Sequence, residues 1–221
     1  MNAKCVAIFV DFCKAFYSVS WAQMEAILYA YQVPSDLVLA IMSVYHGAKA
    51  GVLNSDGQLE DDNTFNLNTG VLQGDTLAPY LFVIVMDFVM RSAIREELGI
   101  VLNHESGTDR TFQPTRYLTD LDFADDIILL APTIRNAQRL LSNLEKWALK
   151  VGLRINQKKT EFILVGDWIS KNLHTISTRD GPLKRVDDYK YLGSWLLNSD
   201  KDFRVRKELA WKAAKSLYRI W

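Results

Sequence analysis

The string Leu121-Asp122-Phe123-Ala124-Asp125-Asp126-Ile127-Ile128-Leu129-Leu130 sets two adjacent carboxylates in an apolar run. Two like charges 4 Å apart repel by ~4 kcal/mol at an effective dielectric of about 20, so something positive has to offset them. A divalent cation is the usual answer, and Mg²⁺ favours carboxylates together with substrate phosphates over a complete protein cage. Neighbouring strand residues point to opposite faces, so the pair can share one site only where the backbone bends. A hairpin turn at Asp125-Asp126 supplies the bend. Alone, such a pair is better explained by a solvated turn or a helix cap. Asp11 shifts that balance, because it ends a second apolar run, Cys5-Val6-Ala7-Ile8-Phe9-Val10. Three strand-end acids from two strands suffice to hold two metals ~3.5 to 4 Å apart, the arrangement that activates an attacking oxygen and stabilises a leaving one in phosphoryl transfer.

Strands and helices must position these acids, and the hydrophobic pattern supplies both. Residues 5–10, apolar and free of turn residues, read as a strand buried on both faces. From Trp21 to Tyr31, Met24, Ile27, Leu28 and Tyr31 recur at helical spacing until Pro34 stops the run. Ser35 is placed to cap a second helix with Leu37, Ile41 and Tyr45 on one face. Asn54-Ser55-Asp56-Gly57 is a turn signal between two extended arms, which predicts a hairpin over residues 51–67. Gly70 to Pro79 reads as a loop, Tyr80 to Glu97 as a long buried helix, Gly107 as a turn, and Thr119 to Ala131 as a strand or tight hairpin. An amphipathic helix follows over Asn136 to Val151 through Ala137, Leu140, Leu141, Leu144, Trp147 and Ala148. Short strands are expected near Glu161 to Val165 and Tyr189 to Leu196. Phe203 to Trp221 mixes Arg204, Arg206, Lys207, Lys212, Lys215 and Arg219 with Leu209, Ala213 and Leu217, a basic amphipathic helix. Helices and strands interleaved at uneven spacing argue an α+β fold, and no repeat or linker divides the chain before residue 200.

With 221 residues, 49% of them hydrophobic and 24% charged, the chain has the balance of a globular protein rather than a disordered or fibrous one. Lys+Arg 26 and Asp+Glu 26 cancel, so any nucleic-acid contact has to come from a local patch. The two cysteines, Cys5 and Cys13, are too few for a disulfide framework or a four-ligand zinc site, which points to a reducing compartment. Tyr80 to Met90 is interrupted by Asp87 and falls short of the ~18 apolar residues of a membrane span. The first residues lack the pattern of a secretory signal. The expectation is a soluble, intracellular protein with no membrane partner.

Five strings resemble, in order, the palm motifs of reverse transcriptases, especially those of non-LTR (LINE-type) retrotransposons. Val10-Asp11-Phe12-Cys13-Lys14-Ala15-Phe16 resembles the first, and Gly70-Val71-Leu72-Gln73-Gly74-Asp75-Thr76-Leu77-Ala78-Pro79 the second. Phe123-Ala124-Asp125-Asp126 is similar to the third, Val151-Gly152-Leu153-Arg154-Ile155-Asn156-Gln157-Lys158-Lys159-Thr160 to the fourth and Tyr191-Leu192-Gly193 to the fifth. The resemblance implies RNA-directed DNA polymerase (nucleotidyltransferase) activity, in which a primer 3′-hydroxyl attacks a dNTP on an RNA template. Asp11, Asp125 and Asp126 match its catalytic, metal-binding acids, which would take two Mg²⁺ ions, with Mn²⁺ as an alternative. The backbones of Phe12 and Cys13 match positions near the triphosphate, and Phe16 matches the ring that excludes a 2′-hydroxyl, although plain core packing would also explain a Phe there. Gln73 and Gly74 match the loop that touches the templating strand and nascent pair. Lys159 matches a lysine that protonates or neutralises pyrophosphate, while a solvated charge explains it equally well.

The expected architecture is a right-hand polymerase palm, an antiparallel sheet backed by helices with the acids on its solvent-facing side. Residues 1–200 would be palm with partial fingers elements, and 201–221 the start of a thumb-like helix. Only ten residues precede Asp11, whereas the family places its fingers upstream, and no endonuclease domain is present. The reading is therefore a fragment of a longer retrotransposon polyprotein with negligible activity of its own. Ala15-Phe16-Tyr17 departs from the Ala-Phe-Asp of many LINE-type sequences, which alters local hydrogen bonding rather than metal binding. Two rivals stay open. One is a catalytically inactive remnant of a retroelement. The other is an RNA-templated RNA polymerase palm, against which Phe16 and the Phe-Ala-Asp-Asp string argue.

Overall fold

The computed structural model describes residues 4–53, 59–103, 114–169, 174–196 and 198–217. In chain order the elements begin with β1 (Cys5–Val10), α1 (Ala15–Ser18), α2 (Trp21–Ala30), α3 (Ser35–His46), β2 (Lys49–Leu53), β3 (Leu59–Asn66) and α4 (Ala78–Ala93). Then come β4 (Ile100–Asn103), β5 (Arg116–Leu118), β6 (Asp120–Phe123), β7 (Asp126–Ala131), α5 (Ile134–Lys150), β8 (Glu161–Val165), β9 (Ser177–Thr178) and β10 (Gly181–Pro182). The last are β11 (Lys184–Arg185), β12 (Tyr189–Tyr191), β13 (Ser194–Leu196) and α6 (Ser199–Leu217). The sequence-predicted turns at Asn54 to Gly57 and at Gly107 lie outside the described residues; β2 and β3, which flank the first, pair antiparallel as expected.

Among the described residues the main sheet runs β11-β8-β1-β7-β6. It is antiparallel except at one edge, where β11 joins β8 in parallel. β1 lies between β7 and β8, and its residues 6–10 are all buried, as expected of a continuous apolar strand with both faces covered. Alternation assigns those faces. Val6, Ile8 and Val10, with Ile127, Leu129, Phe162 and Leu164, join the main core with the helices. Ala7, Phe9, Ile128 and Ile163 point the other way into a smaller core closed by Val186, Tyr189, Tyr191 and Leu196. Tyr189 stacks on Phe9 with ring centroids 3.8 Å apart. Each fully buried large side chain contributes roughly 1.5–3 kcal/mol, so both layers hold β1 in place.

Three helix boundaries or faces differ from the sequence expectation. Pro34, not Ser35, takes the cap position of α3, and the helix buries Val38, Ile41, Met42 and Tyr45 while Leu37 is exposed. Tyr45 sets that face by packing edge-on against Trp21. α4 stops at Ala93 rather than Glu97, because Ile94 is extended and a short 3₁₀ turn, Glu96–Leu98, returns Leu98 to the core. α5 starts at Ile134, where the Thr133 hydroxyl accepts from the Asn136 N–H at 3.1 Å, a regular side-chain cap. α6 is largely exposed, and its first turns hold to the β12–β13 hairpin: Asp202 accepts from the Trp195 N–H and Lys201 lies over the Trp195 ring.

The segment after α5 bonds to the residues that follow β1, Asn156 to Asp11 and Arg154 to Cys13. Gly152, at φ +90°, lies so close to Ser18 that a Cβ would stand 2.3 Å from its carbonyl oxygen. Gly193 has a similar φ of +85°, but no described residue would come within 4 Å of a Cβ there. Gly193→Ala should therefore show the backbone strain alone, about 1 kcal/mol. Gly152→Ala should lose about 2 kcal/mol more through overpacking, read as the difference between the two variants in denaturant-unfolding free energy. Equal losses would mean that the Ser18 contact yields without cost.

Candidate active site

The β1–β7 register pairs Val10 with Ile127, so the next residue of each strand, Asp11 and Asp126, lies at the same end of the sheet. Both continue the parity of Phe9 and Ile128, which places them on the face of the smaller core rather than the helical one. Phe123 pairs with Asp126 across a two-residue turn of Ala124 and Asp125, with Ala124 at φ 57°. The predicted bend is present one position earlier than read, and Asp126 itself belongs to β7. Burial first, then the charges of Asp125 and Asp11, push the Asp126 carboxyl above the usual carboxylate range. The Asp11 Oδ2 is buried and has no hydrogen-bond partner among the described residues. The Lys159 Nζ lies 3.9 Å from it.

Residues 154–160 fix the Asp11 backbone. The Asn156 N–H donates to the Asp11 carbonyl at 2.7 Å, and the Asp11 N–H donates to Oγ1 of the fully buried Thr160 at 3.2 Å. The Cys13 N–H donates to the Arg154 carbonyl at 2.8 Å, and Phe12 is buried in a bridge with Ile155. The Cys13 amide, matched by resemblance to a triphosphate neighbour, is thus already engaged within the chain. From the other side of the site, the Tyr191 hydroxyl donates to the Asp126 carbonyl at 3.4 Å.

The loop of residues 69–75 hangs on residues 16–19. The Val71 N–H donates to the Phe16 carbonyl at 2.6 Å, the Gly70 N–H to the Val19 carbonyl at 2.8 Å, and the Thr69 hydroxyl to the Tyr17 carbonyl at 3.0 Å. The half-buried Phe16 ring stacks on Phe82 with centroids 4.3 Å apart. Phe16, Gln73, Gly74, Asp75, Ala78 and Pro79 line one cavity of about 270 Å³. The candidate residues thus form two groups, the acids with Lys159, and Phe16 with Gln73 and Gly74. Among the described residues, no three His, Cys, Asp or Glu side chains stand close enough together to hold a metal ion as they are.

Sequence reasoning missed Asn156, Thr160 and Tyr17 as supports, and it gave Asp122 no role. Asp122 pairs with Ile127, so it faces the helical side, away from Asp126. Burial, the charge of Asp120 and a hydrogen bond to it, then the charge of Asp87, push its carboxyl up to about 7. Asp87 is itself held by the Tyr31 hydroxyl at 2.6 Å and Arg91 at 2.7 Å. With a folded pKa raised above its unfolded value, Asp122 costs nothing below the unfolded pKa of about 3.9 and costs stability progressively as pH rises from there towards 7. Asp122→Asn should leave the melting temperature unchanged at about pH 3 and raise it at about pH 8. Because the side chain is partly solvated, the gain is about 1 kcal/mol, or ~2–4 °C. An equal shift at both pH values would show that the carboxyl is not perturbed.

A charged all-oxygen donor set, a buried carboxylate oxygen without a partner and mutual repulsion among acids all fit a hard divalent cation. The family described as reverse transcriptase (RNA-dependent DNA polymerase) matches residues 1–196. The chain is 30% identical over 98% of its length to a retrovirus-related Pol polyprotein from the type-2 retrotransposable element R2DM of Drosophila melanogaster, covering 20% of that protein. It is 30% identical over 91% of its length to an R2 Pol polyprotein of Nasonia vitripennis, covering 19% of it. It therefore spans about a fifth of the length of these curated relatives. Two solved structures share the fold. Telomerase from Candida albicans has a TM-score of 0.53 at 12% identity, over 79% of this chain and 28% of that one. Apo telomerase from Candida tropicalis has a TM-score of 0.50 at 15% identity, over 79% and 32%. The structural likeness supports a palm-like α+β fold, and the family match over residues 1–196, with the R2 relatives beside it, makes this chain a member of the reverse transcriptase family, akin to the domain carried by non-LTR retrotransposons.

Proposed function

We propose that this chain is the palm portion of an RNA-directed DNA polymerase, joining a dNTP to a DNA primer 3′-hydroxyl on an RNA template. The observation that carries the reading is the register that sets Asp11 beside Asp126, with the Asp11 Oδ2 buried and without a hydrogen-bond partner among the described residues. Asp11, Asp125 and Asp126 would hold two Mg²⁺ ions. When bound, such ions lower the pKa of the attacking hydroxyl and neutralise the triphosphate. The chain's own residues do the rest. Asn156 and Thr160 hold the Asp11 backbone in register. Lys159, beside Asp11, faces the departing pyrophosphate and donates a proton to it or offsets its charge. Phe16 forms a wall of the cavity shared with Gln73 and Gly74 and excludes a 2′-hydroxyl by bulk, while those two residues meet the template and nascent pair.

On this reading residues 1–200 form the palm with partial fingers elements, and 201–221 begin a thumb-like helix. Complete fingers, the thumb and an endonuclease belong to other segments of a longer polyprotein that acts inside the cell. No helix among the described residues is long and apolar enough to cross a membrane.

Mn²⁺ binding to the chain in the presence of dTTP, followed by electron paramagnetic resonance, tests the assignment. Asp126→Asn should weaken binding about tenfold or more, at least as much as losing a residue that only supports a metal ligand. In the same assay Phe16→Ala should narrow the preference for dTTP over its ribonucleotide counterpart. Equal Mn²⁺ affinity in wild type and Asp126→Asn would overturn the metal reading. An unchanged preference in folded Phe16→Ala would make Phe16 a packing residue.

A further inference from the structure

We infer that Tyr17 is a positioning residue that holds the Gln73 amide for nucleic-acid contact, a role that rests on the reading of Gln73 as a template-facing residue. The Tyr17 hydroxyl donates to the Gln73 Oε1 at 2.6 Å. Its backbone is fixed, since the Tyr17 carbonyl accepts from the Thr69 hydroxyl and Gly70 passes so close that a Cβ there would stand 2.6 Å from the Tyr17 Cα. The ring is nevertheless 57% exposed, so the bond lies at the surface, beside the cavity lined by Phe16, Gln73 and Gly74.

An amide has one acceptor oxygen and two N–H donors. With its oxygen tied to Tyr17, Gln73 has N–H donors without a partner among the described residues, which leaves them for a ligand. Donors of this kind match acceptor atoms, and the minor-groove edge of a base pair presents acceptors whether the pair is A·T or T·A. The contact is therefore suited to gripping a nucleic acid without telling A·T from T·A. The residue type matters: an ionised carboxylate at position 17 has only acceptors and could not donate to the Gln73 oxygen. The phenol supplies the donor on a rigid ring.

Fluorescence anisotropy with a labelled RNA template annealed to a DNA primer tests this on the chain itself. Tyr17→Phe removes one hydroxyl and should weaken binding about three- to tenfold, the range of a single net hydrogen bond, with an unchanged thermal melt. Gln73→Ala should weaken it at least as much, and the double variant no further than Gln73→Ala alone. Tyr17→4-aminophenylalanine, which retains a donor, should restore binding. Loss in Gln73→Ala without loss in Tyr17→Phe would overturn the inference while leaving the site reading intact. Additive losses, or failure of the rescue, would also overturn it, by giving Tyr17 a contact of its own or a role in packing. No loss in either single variant would overturn the template-facing reading of Gln73 along with it.

Discussion

Two carboxylates held side by side at the end of a buried strand pair are the constraint on which the rest of the site depends. Once Val10 pairs with Ile127, Asp11 and Asp126 follow at the same end and on the same face. That arrangement is unfavourable in isolation, since like charges side by side repel. The surroundings hold it in place. β1 is buried along residues 6–10 between two cores, so a one-residue slip would exchange the side chains of the two cores and spoil the packing of both. The Asp11 backbone is bonded on both sides, to Asn156 and to Thr160. Lys159 supplies part of the missing positive charge from the same segment.

The second group rests on a different device. A short stretch after β1, residues 16–19, serves as the rail from which the loop before α4 hangs, through backbone bonds at Val71 and Gly70 and a side-chain bond at Thr69. The Trp21 indole N–H, donating to the Gly70 carbonyl at 2.6 Å, closes the attachment from within the core. Strand end, loop and the start of α4 are thereby linked, so the Phe16 cavity and the acids are parts of one framework.

Legibility in the sequence followed the range of the interactions. β1 was readable because an unbroken apolar run has few alternatives, α5 because its apolar residues recur at helical spacing, and the hairpin at Asp125 because two extended runs flank the acids. The buried face of α3 and the end of α4 were not, since Tyr45 packing on Trp21 and burial of Leu98 decide them. Facing was the deeper limit. Asp122 and Asp126 stand in one short string, yet strand pairing sends the first to the helical side and the second to the opposite face. Asn156, Thr160 and Tyr17 have no local signature: the Thr160 bond to Asp11 spans 149 positions and that of Tyr17 to Gln73 spans 56. The motif strings located the candidate residues by resemblance, whereas their supports became visible only once the chain was folded.

The central claim is that Asp11 and Asp126 share one electrostatic environment, and a carboxyl ¹³C NMR titration of Asp126 in wild type and Asp11→Asn tests it most directly. In wild type Asp126 should titrate above the usual carboxylate range, for burial and for the charges of Asp125 and Asp11. In Asp11→Asn it should titrate lower, because one of the repelling charges is gone while burial and Asp125 remain. The same Asp126 titration in both proteins would contradict the account, since it would mean that the two carboxylates do not sense each other across the strand pair.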